Sequence, residues 1–271
     1  MYTFKNLSEV ADSRLFKSTN KLIFNGVTID DALSDANNLV VTMNVSGRDV
    51  MQANLERVKP SARHGEIVTG WTLEPRILEI EMLVASKTNE DFRRLYERLN
   101  AILFNGAQSV ISFSDEADRY YYGHFQASST PKEDSNEQFI TFTLFCGDPY
   151  KYTAKKTKTI KSAEVLALQT DFPVKPKIKL AYTTQTGAEV HVMNTTKSLR
   201  TTLKNTNIQT FKTFMFDYEE GTIYQPNTSV TFMDKLNIES DFEDFTVSNG
   251  DQIVIEPKGA TITLEYRGVY L

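Results

Sequence analysis

One cysteine, Cys146, and one tryptophan, Trp71, stand among 271 residues, together with only three histidines and twelve glycines. A single thiol cannot close a disulfide within the chain, and a chain of this length buries about 70 to 75% of its unfolded surface without needing one. His64, His124 and His191 lie far apart, none stands in an HExxH, and no CxxC accompanies them, so the spacings that hold zinc are missing. GxSxG, GxxxxGK and GxGxxG are missing as well, which removes the nucleophile elbow, the phosphate loop and the dinucleotide fingerprint. No apolar run approaches the roughly 18 residues of a membrane-spanning helix. Lys5, Glu9, Asp12 and Arg14 interrupt what a secretory leader would keep apolar, and no lipidation signal follows Tyr270 and Leu271. These absences predict a soluble protein made in a cytoplasm, with no metal, no cofactor and no membrane contact.

What is present is ordinary globular material: 40% hydrophobic, 24% charged, net charge -5. At roughly 150 residues per domain, the length favours two domains. Charge places the boundary. Residues 1–150 hold 15 basic and 21 acidic side chains, net -6, whereas residues 151–179 hold eight lysines against Glu164 and Asp171, net +6. The lysine run ends near Pro173 and Pro176, a composition that suits a linker or an exposed edge strand better than a core element. A nucleic-acid patch is the sharper reading, but the lysines alternate with Thr and Ala, without Arg and with little aromatic surface for stacking. The expected organisation is therefore residues 1–150, a linker over 151–176, and a second domain over 177–271.

Both halves are patterned as strands. KLIF, Asn25-Gly26 and VTI form a hairpin signal, because Asn and Gly tolerate the positive φ angles of a type I′ turn. Leu39, Val41, Met43 and Val45 share a face, as do Leu78, Ile80, Met82 and Val84, and Ile140, Phe142 and Leu144. One helix competes: Phe92, Leu95, Tyr96, Leu99, Ile102 and Leu103 follow helical spacing after a Thr88 cap, closed by Asn105-Gly106. After Lys177 no helix is expected; short β-rich runs separated by Glu220-Gly221, Pro226-Asn227, Asn249-Gly250 and Lys258-Gly259 predict a β-sandwich.

Residues 46–75 break the rhythm. The stretch is polar, holds Pro60, Gly65 and Gly70, and shows no sustained apolar face, so it reads as a long excursion of the kind that is usually functional or disordered. Its scattered anchors, Val50, Met51, Leu55, Val58 and Trp71, need a partner and form the candidate oligomer interface. A lone Trp is more often core than anchor, yet Trp is also favoured at interface hot spots.

Catalytic readings fare less well. Cys146 ends the apolar strand ITFTLF, where a buried, unreactive thiol is the ordinary expectation. Acidic clusters at Asp115-Glu116-Ala117-Asp118, Asp217-Tyr218-Glu219-Glu220 and Asp241-Phe242-Glu243-Asp244 could pair carboxylates for glycoside hydrolysis, but such neighbours in turns are usually solvated loop tips. No chemistry of the chain's own is expected.

The order of the pieces resembles the distal tail proteins of long-tailed, non-contractile bacteriophages. The resemblance runs through KLIFNGVTI, GEIVTGWTLEPRILEIEMLV, FRRLYERLNAIL, VISFSDEADRYYYGHF and FTLFCGDPYKY, whose Asp148-Pro149-Tyr150 turn is the most telling piece, and continues through FDYEEGTIY, MDKLNIESDFEDF and NGDQIVIEPKGATITLEYR. Each motif is weak alone; their order supplies the specificity. The resemblance implies a mainly β subunit, with an N-terminal tail-tube-like β-sandwich carrying one packed helix and a C-terminal galectin-like β-sandwich that projects outward. It implies a homo-hexameric ring at the virion's tail tip, joining the tail tube protein to a tail-associated tip protein, with a receptor-binding protein docked through the C-terminal domain and DNA only as cargo through the channel. Such a ring is made in the host cytoplasm. The rival reading is a carbohydrate-binding module of the phage adsorption apparatus, although the C-terminal half has no Trp to stack on a sugar.

Overall fold

The computed structural model describes residues 18–104, 106–129, 131, 135–183, 187–208 and 210–271. Lys5, Glu9, Asp12, Arg14 and Asn105, named above, lie outside these. The chain forms two compact units that divide between Lys151 and Tyr152.

In the first unit, β1 (Leu22–Phe24) and β2 (Val27–Thr28) are joined by Asn25-Gly26 at φ of 50° and 81°, the two positive angles expected of that turn. They are followed by α1 (Ile29–Leu33), β3 (Asn38–Ser46), β4 (Ala53–Val58), β5 (Ile67–Leu73), β6 (Arg76–Ser86), α2 (Asn89–Leu103), β7 (Ser109–Phe113), β8 (Tyr121–Ser128) and β9 (Glu137–Cys146). Seven strands make one antiparallel sheet in the order β2-β1-β7-β8-β9-β6-β3. Its inner face is the one the alternation named: Leu78, Ile80, Met82 and Val84 from β6 and Ile140, Phe142 and Leu144 from β9 are buried. Against them pack Phe92, Leu95, Leu99 and Leu103 of α2. This helix starts where the sequence starts it, because Thr88 Oγ1 accepts the Asp91 N–H at 3.1 Å and satisfies one of the orphan donors of the first turn. Cys146 is buried at the end of β9, and burial pushes its thiol pKa up to about 12. A thiol held so far from ionisation is a packing residue.

The sheet curls until β1 reaches β3, with four strands between them in the order: the Leu22 N–H donates to Thr42 Oγ1 at 3.3 Å. The short helix α1 and the turn after it then close the outer edge of β3. Asp30 accepts from the Thr42 N–H at 2.8 Å and from Thr42 Oγ1 at 2.6 Å, Ser34 Oγ accepts from the Val40 N–H at 2.9 Å, and Asp35 accepts from the Asn38 N–H at 3.1 Å. Side chains thus occupy the donors that another strand would otherwise use, which blocks pairing at that edge.

Burial raises the pKa of Asp30 above the ordinary carboxylate value, although both Thr42 hydrogen bonds work the other way. The folded chain therefore holds this proton more tightly than the unfolded chain. The associated stability is fully present below the unfolded pKa and is lost as pH rises through the folded one. Asp30→Asn, which keeps an acceptor for the amide and offers a donor to the hydroxyl, should melt no lower than the parent at pH 7 and show a flatter dependence on pH between 4 and 7. Asp30→Ala should lose about 1 to 3 kcal/mol, the cost of a buried donor without a partner. Thermal melts at the two pH values check both, and an Asn variant well below the parent at pH 7 would contradict this account.

The second unit contains β10 (Lys151–Ile160) from its second residue on, β11 (Glu164–Val165), β12 (Lys177–Ala181), β13 (Val190–Asn194), β14 (Leu199–Leu203), β15 (Thr213–Asp217), β16 (Thr222–Tyr224), β17 (Gln252–Glu256) and β18 (Thr261–Tyr270). They form two sheets, β10-β18-β12-β15-β16 and β11-β17-β13-β14. Each has one buried face: Ile178, Leu180, Phe214, Phe216, Ile262 and Leu264 in the first, Val190, Val192, Ile253 and Ile255 in the second. That is the pattern of a sandwich. Residues 151–176, expected as a linker, are instead built into it. β10 is the edge strand of the larger sheet and β11 an edge of the smaller one, with Thr153 and Ile160 buried. An edge strand needs few apolar side chains, so its lysine content hid it.

Candidate functional site

The titratable groups that could carry chemistry are dispersed or structurally engaged. His64 and His124 are exposed, and His191 on β13 has Nδ1 at 3.0 Å from both Thr202 Oγ1 and the Arg200 guanidinium. Burial, then Arg200, holds its pKa below the ordinary histidine value. Asp217 is buried rather than solvated: it forms an ion pair with Lys177 at 2.6 Å and accepts the Glu220 N–H at 3.0 Å. Asp241 accepts the Arg200 N–H at 2.9 Å, while Phe242 and Phe245 pack on the Tyr218 ring. These two acidic clusters fasten turns. Among the described residues no group of three His, Cys, Asp or Glu could hold a metal ion.

The excursion is different. Among the described residues, β4 and β5 pair with each other and with no other strand. Every residue of β4 is exposed, and in β5 only Gly70 and Leu73 are partly covered. Leu55 stands directly opposite Trp71, and Val58 opposite Ile67, with a bulge between Glu56 and Arg57. A two-stranded ribbon in water is marginal, since it has no third strand or helix to bury a face. This one also displays apolar side chains: Trp71 is 61% exposed, Val68 54%, Val58 53% and Leu55 46%. Such a cluster marks a contact surface.

Of the five residues singled out from the sequence, Leu55, Val58 and Trp71 thus lie on the arm. Val50, 93% exposed, and Met51, half-buried, lie just before it. Trp71 is no core residue. Ile67 and Val68, successive residues of β5 that point to opposite faces of the ribbon, are exposed as well and were missed; the signal was the β-branched run EIVT beside Gly65 and Gly70, concealed by the polar residues around it.

The arm's root is rigid where its tip is bare. Gly47 turns the chain out of β3 at φ 85°, and a Cβ there would meet the Ile77 carbonyl oxygen at 1.9 Å. Arg48 grips Asp115 through two hydrogen bonds of 2.8 and 2.9 Å and lies 4.6 Å over the Phe113 ring. That grip holds the Asp115 carboxyl below its usual range. Arg76, fully buried, donates to the carbonyls of Gly47 at 2.7 Å and Pro149 at 3.0 Å. Lys151 and the Tyr121 hydroxyl both bind Glu116, at 3.2 and 2.9 Å. The Glu74 N–H donates to the Gln52 carbonyl at 3.2 Å, so the two ends of the arm meet. Bidentate and buried charge contacts of this kind fix geometry, which points the ribbon in one direction.

Residues 31–146, which contain the arm and its root, match the model of the phage tail protein RIFT-related domain. The distal tail protein of Bacillus phage SPP1 is 26% identical over 211 residues, 77% of this chain and 83% of that protein. The crystal structure of SPP1 Dit, described as a paradigm of the hub adsorption apparatus in phages infecting Gram-positive bacteria, superposes with a TM-score of 0.76 at 20% identity, over 94% of this chain and 100% of that one. That likeness is one of fold. A chain of the phage P2 baseplate in its activated conformation aligns at a TM-score of 0.46 and 7% identity, over 84% of this chain and 90% of its own.

Proposed function

We propose that this chain, a Dit-like phage tail protein and a structural component of the virion tail rather than an enzyme, is the hub of a tail tip or baseplate that assembles as a hexameric ring. The observation that carries this reading is the β4–β5 arm. A rigidly rooted ribbon with exposed Leu55, Val58, Val68 and Trp71 has no partner strand among the described residues, and a closed ring supplies one from each neighbour to the next. Heterologous contacts of this sort close when the rotation between copies is right. The ring joins the tail tube protein to a tail-associated tip protein, and the second unit serves as the platform for a receptor-binding protein. Six N-terminal parts of net -6 carry a formal charge of 6 × -6 = -36, which repels phosphates and lets DNA pass as cargo if the acidic residues face the channel.

Light scattering or native mass spectrometry on the purified full chain tests the assembly. The expected mass is six chains or a multiple of six, rising with concentration. A monomer at every concentration, or a closed dimer, would refute the ring.

A further inference from the structure

Sheet edges are treated unequally in this molecule. The outer edge of β3 is capped by Asp30, Ser34 and Asp35. β14 is covered by residues 235–241: Asn237 and Asp241 N–H groups donate to the Thr202 and Arg200 carbonyls at 2.9 and 2.8 Å, and Ser240 Oγ accepts the Thr202 N–H at 3.0 Å. β16 is covered in the same way, by the Phe232 N–H on the Ile223 carbonyl at 2.8 Å. β2 and β11 are two residues long. Outside the arm, β10 is a long edge without such a cover among the described residues. β10 runs for ten residues without Pro or Gly and has β18 on one side only. From Lys155 to Thr159, among the described residues, no capping side chain and no second strand meets its outer backbone groups.

We propose that this edge of β10 is a docking edge for an extended, acidic segment of a partner protein, which adds to the larger sheet as a sixth strand. Strand addition supplies affinity through main-chain hydrogen bonds and selectivity through alternate side chains. Residues 151–161 carry five lysines and no acid. Lys156 and Lys158, two apart, share a face, where an incoming strand with carboxylates at every second position meets them. Their present partners are local: Lys156 donates to Gln169, and Lys158 lies 3.6 Å from Glu164. Lys155 is 3.2 Å from Glu265 and half-exposed. Lysines on an edge also guard it against pairing, and here both roles coincide. Like charge forbids one β10 from pairing with another copy's β10 or with any basic strand, and the same charge attracts an acidic one, so the edge selects its occupant by repelling the alternatives.

The test uses the full chain and a labelled ten-residue peptide of alternating Thr and Glu. Fluorescence anisotropy should show saturable binding that weakens with salt. Hydrogen exchange should slow by about tenfold at amides within Lys155–Thr159, equivalent to about 1.4 kcal/mol of added protection. A peptide of the same charge with Pro at alternate positions, which cannot form a ladder, should not protect these amides, and a Thr-Lys peptide should not bind. Changing Lys155→Gln, Lys156→Gln and Lys158→Gln together should weaken binding by about tenfold, the sum of three exposed charge pairs. No binding at low salt, equal binding of the proline peptide, or protection located elsewhere would each overturn the proposal. The exchange measurement on the unaltered chain decides even if the triple variant fails to fold. The arm stays intact throughout, so failure at this edge leaves the ring reading standing.

Discussion

Replacing residues 53–73 with a short Gly-Ser turn should leave folded monomers in place of the proposed hexamer. The ends to be joined already meet, since the Glu74 N–H binds the Gln52 carbonyl at 3.2 Å, and the arm gives no strand to any of the three sheets of the units. The excision therefore removes no core residue and should leave the cooperative melt of the chain unchanged. What it removes is the exposed cluster of Leu55, Val58, Ile67, Val68 and Trp71. Trp71→Ala examines the same surface more finely. An interface tryptophan at a hot spot costs about 2 kcal/mol or more of association when truncated, and a buried one costs about 3 to 5 kcal/mol of folding stability. Because Trp71 is 61% exposed, the expected loss is in association alone, read as a higher concentration needed for the full mass while the monomer's melting temperature stays put. Should the excised chain still form a full hexamer, the arm is not the clasp. The capped stretch of the β3 edge, held by Asp30, Ser34 and Asp35, is then a poor substitute, and the α2 face becomes the place to look.

Local chemistry decided which elements could be read in advance. Asn25-Gly26 specifies a hairpin by itself, and Thr88 with the Phe92-to-Leu103 stripe specifies α2, because turn angles, caps and helical spacing depend on near neighbours. The faces of β6 and β9 were legible for the same reason. α1 was not: five residues, Ile29–Leu33, are too few for a periodic signal, and their role in closing the β3 edge exists only in three dimensions. β4 and β5 escaped because alternation reports a buried face, and the arm buries neither; the bulge at Glu56 and Arg57 broke what pattern remained. The anchors Leu55, Val58 and Trp71 could be named without knowing that they share a ribbon. β10 looked like a connector because an edge strand with a solvated face tolerates lysines in a way that a central strand cannot.

The second large effect is expected at Gly47, which no sequence pattern singles out. Its φ of 85° costs any L-residue other than glycine about 1 to 3 kcal/mol. Gly65, in the loop between β4 and β5, has the same φ of 85° and open space around its Cα. Gly65→Ala is thus the control: it should show the conformational penalty and nothing else. Gly47→Ala adds a collision, since the new Cβ would stand 1.9 Å from the Ile77 carbonyl oxygen, which is backbone and cannot swing aside as a side-chain tip would. Relief requires the end of β3 to separate from the start of β6, and that movement pulls the Gly47 carbonyl off the buried Arg76 guanidinium, now 2.7 Å away. A buried charge that loses an acceptor adds its own cost. Together the losses should exceed about 4 kcal/mol, a size reserved for named structural faults, and chemical denaturation should place Gly47→Ala well below Gly65→Ala. The consequence reaches assembly as well, because Gly47 sets the direction in which the arm leaves the sheet. At concentrations where the variant is still folded, the proposed hexamer should be lost, whereas Gly65→Ala should retain it. Equal stability and equal assembly of the two variants would mean that the close approach at Ile77 is not what aims the arm.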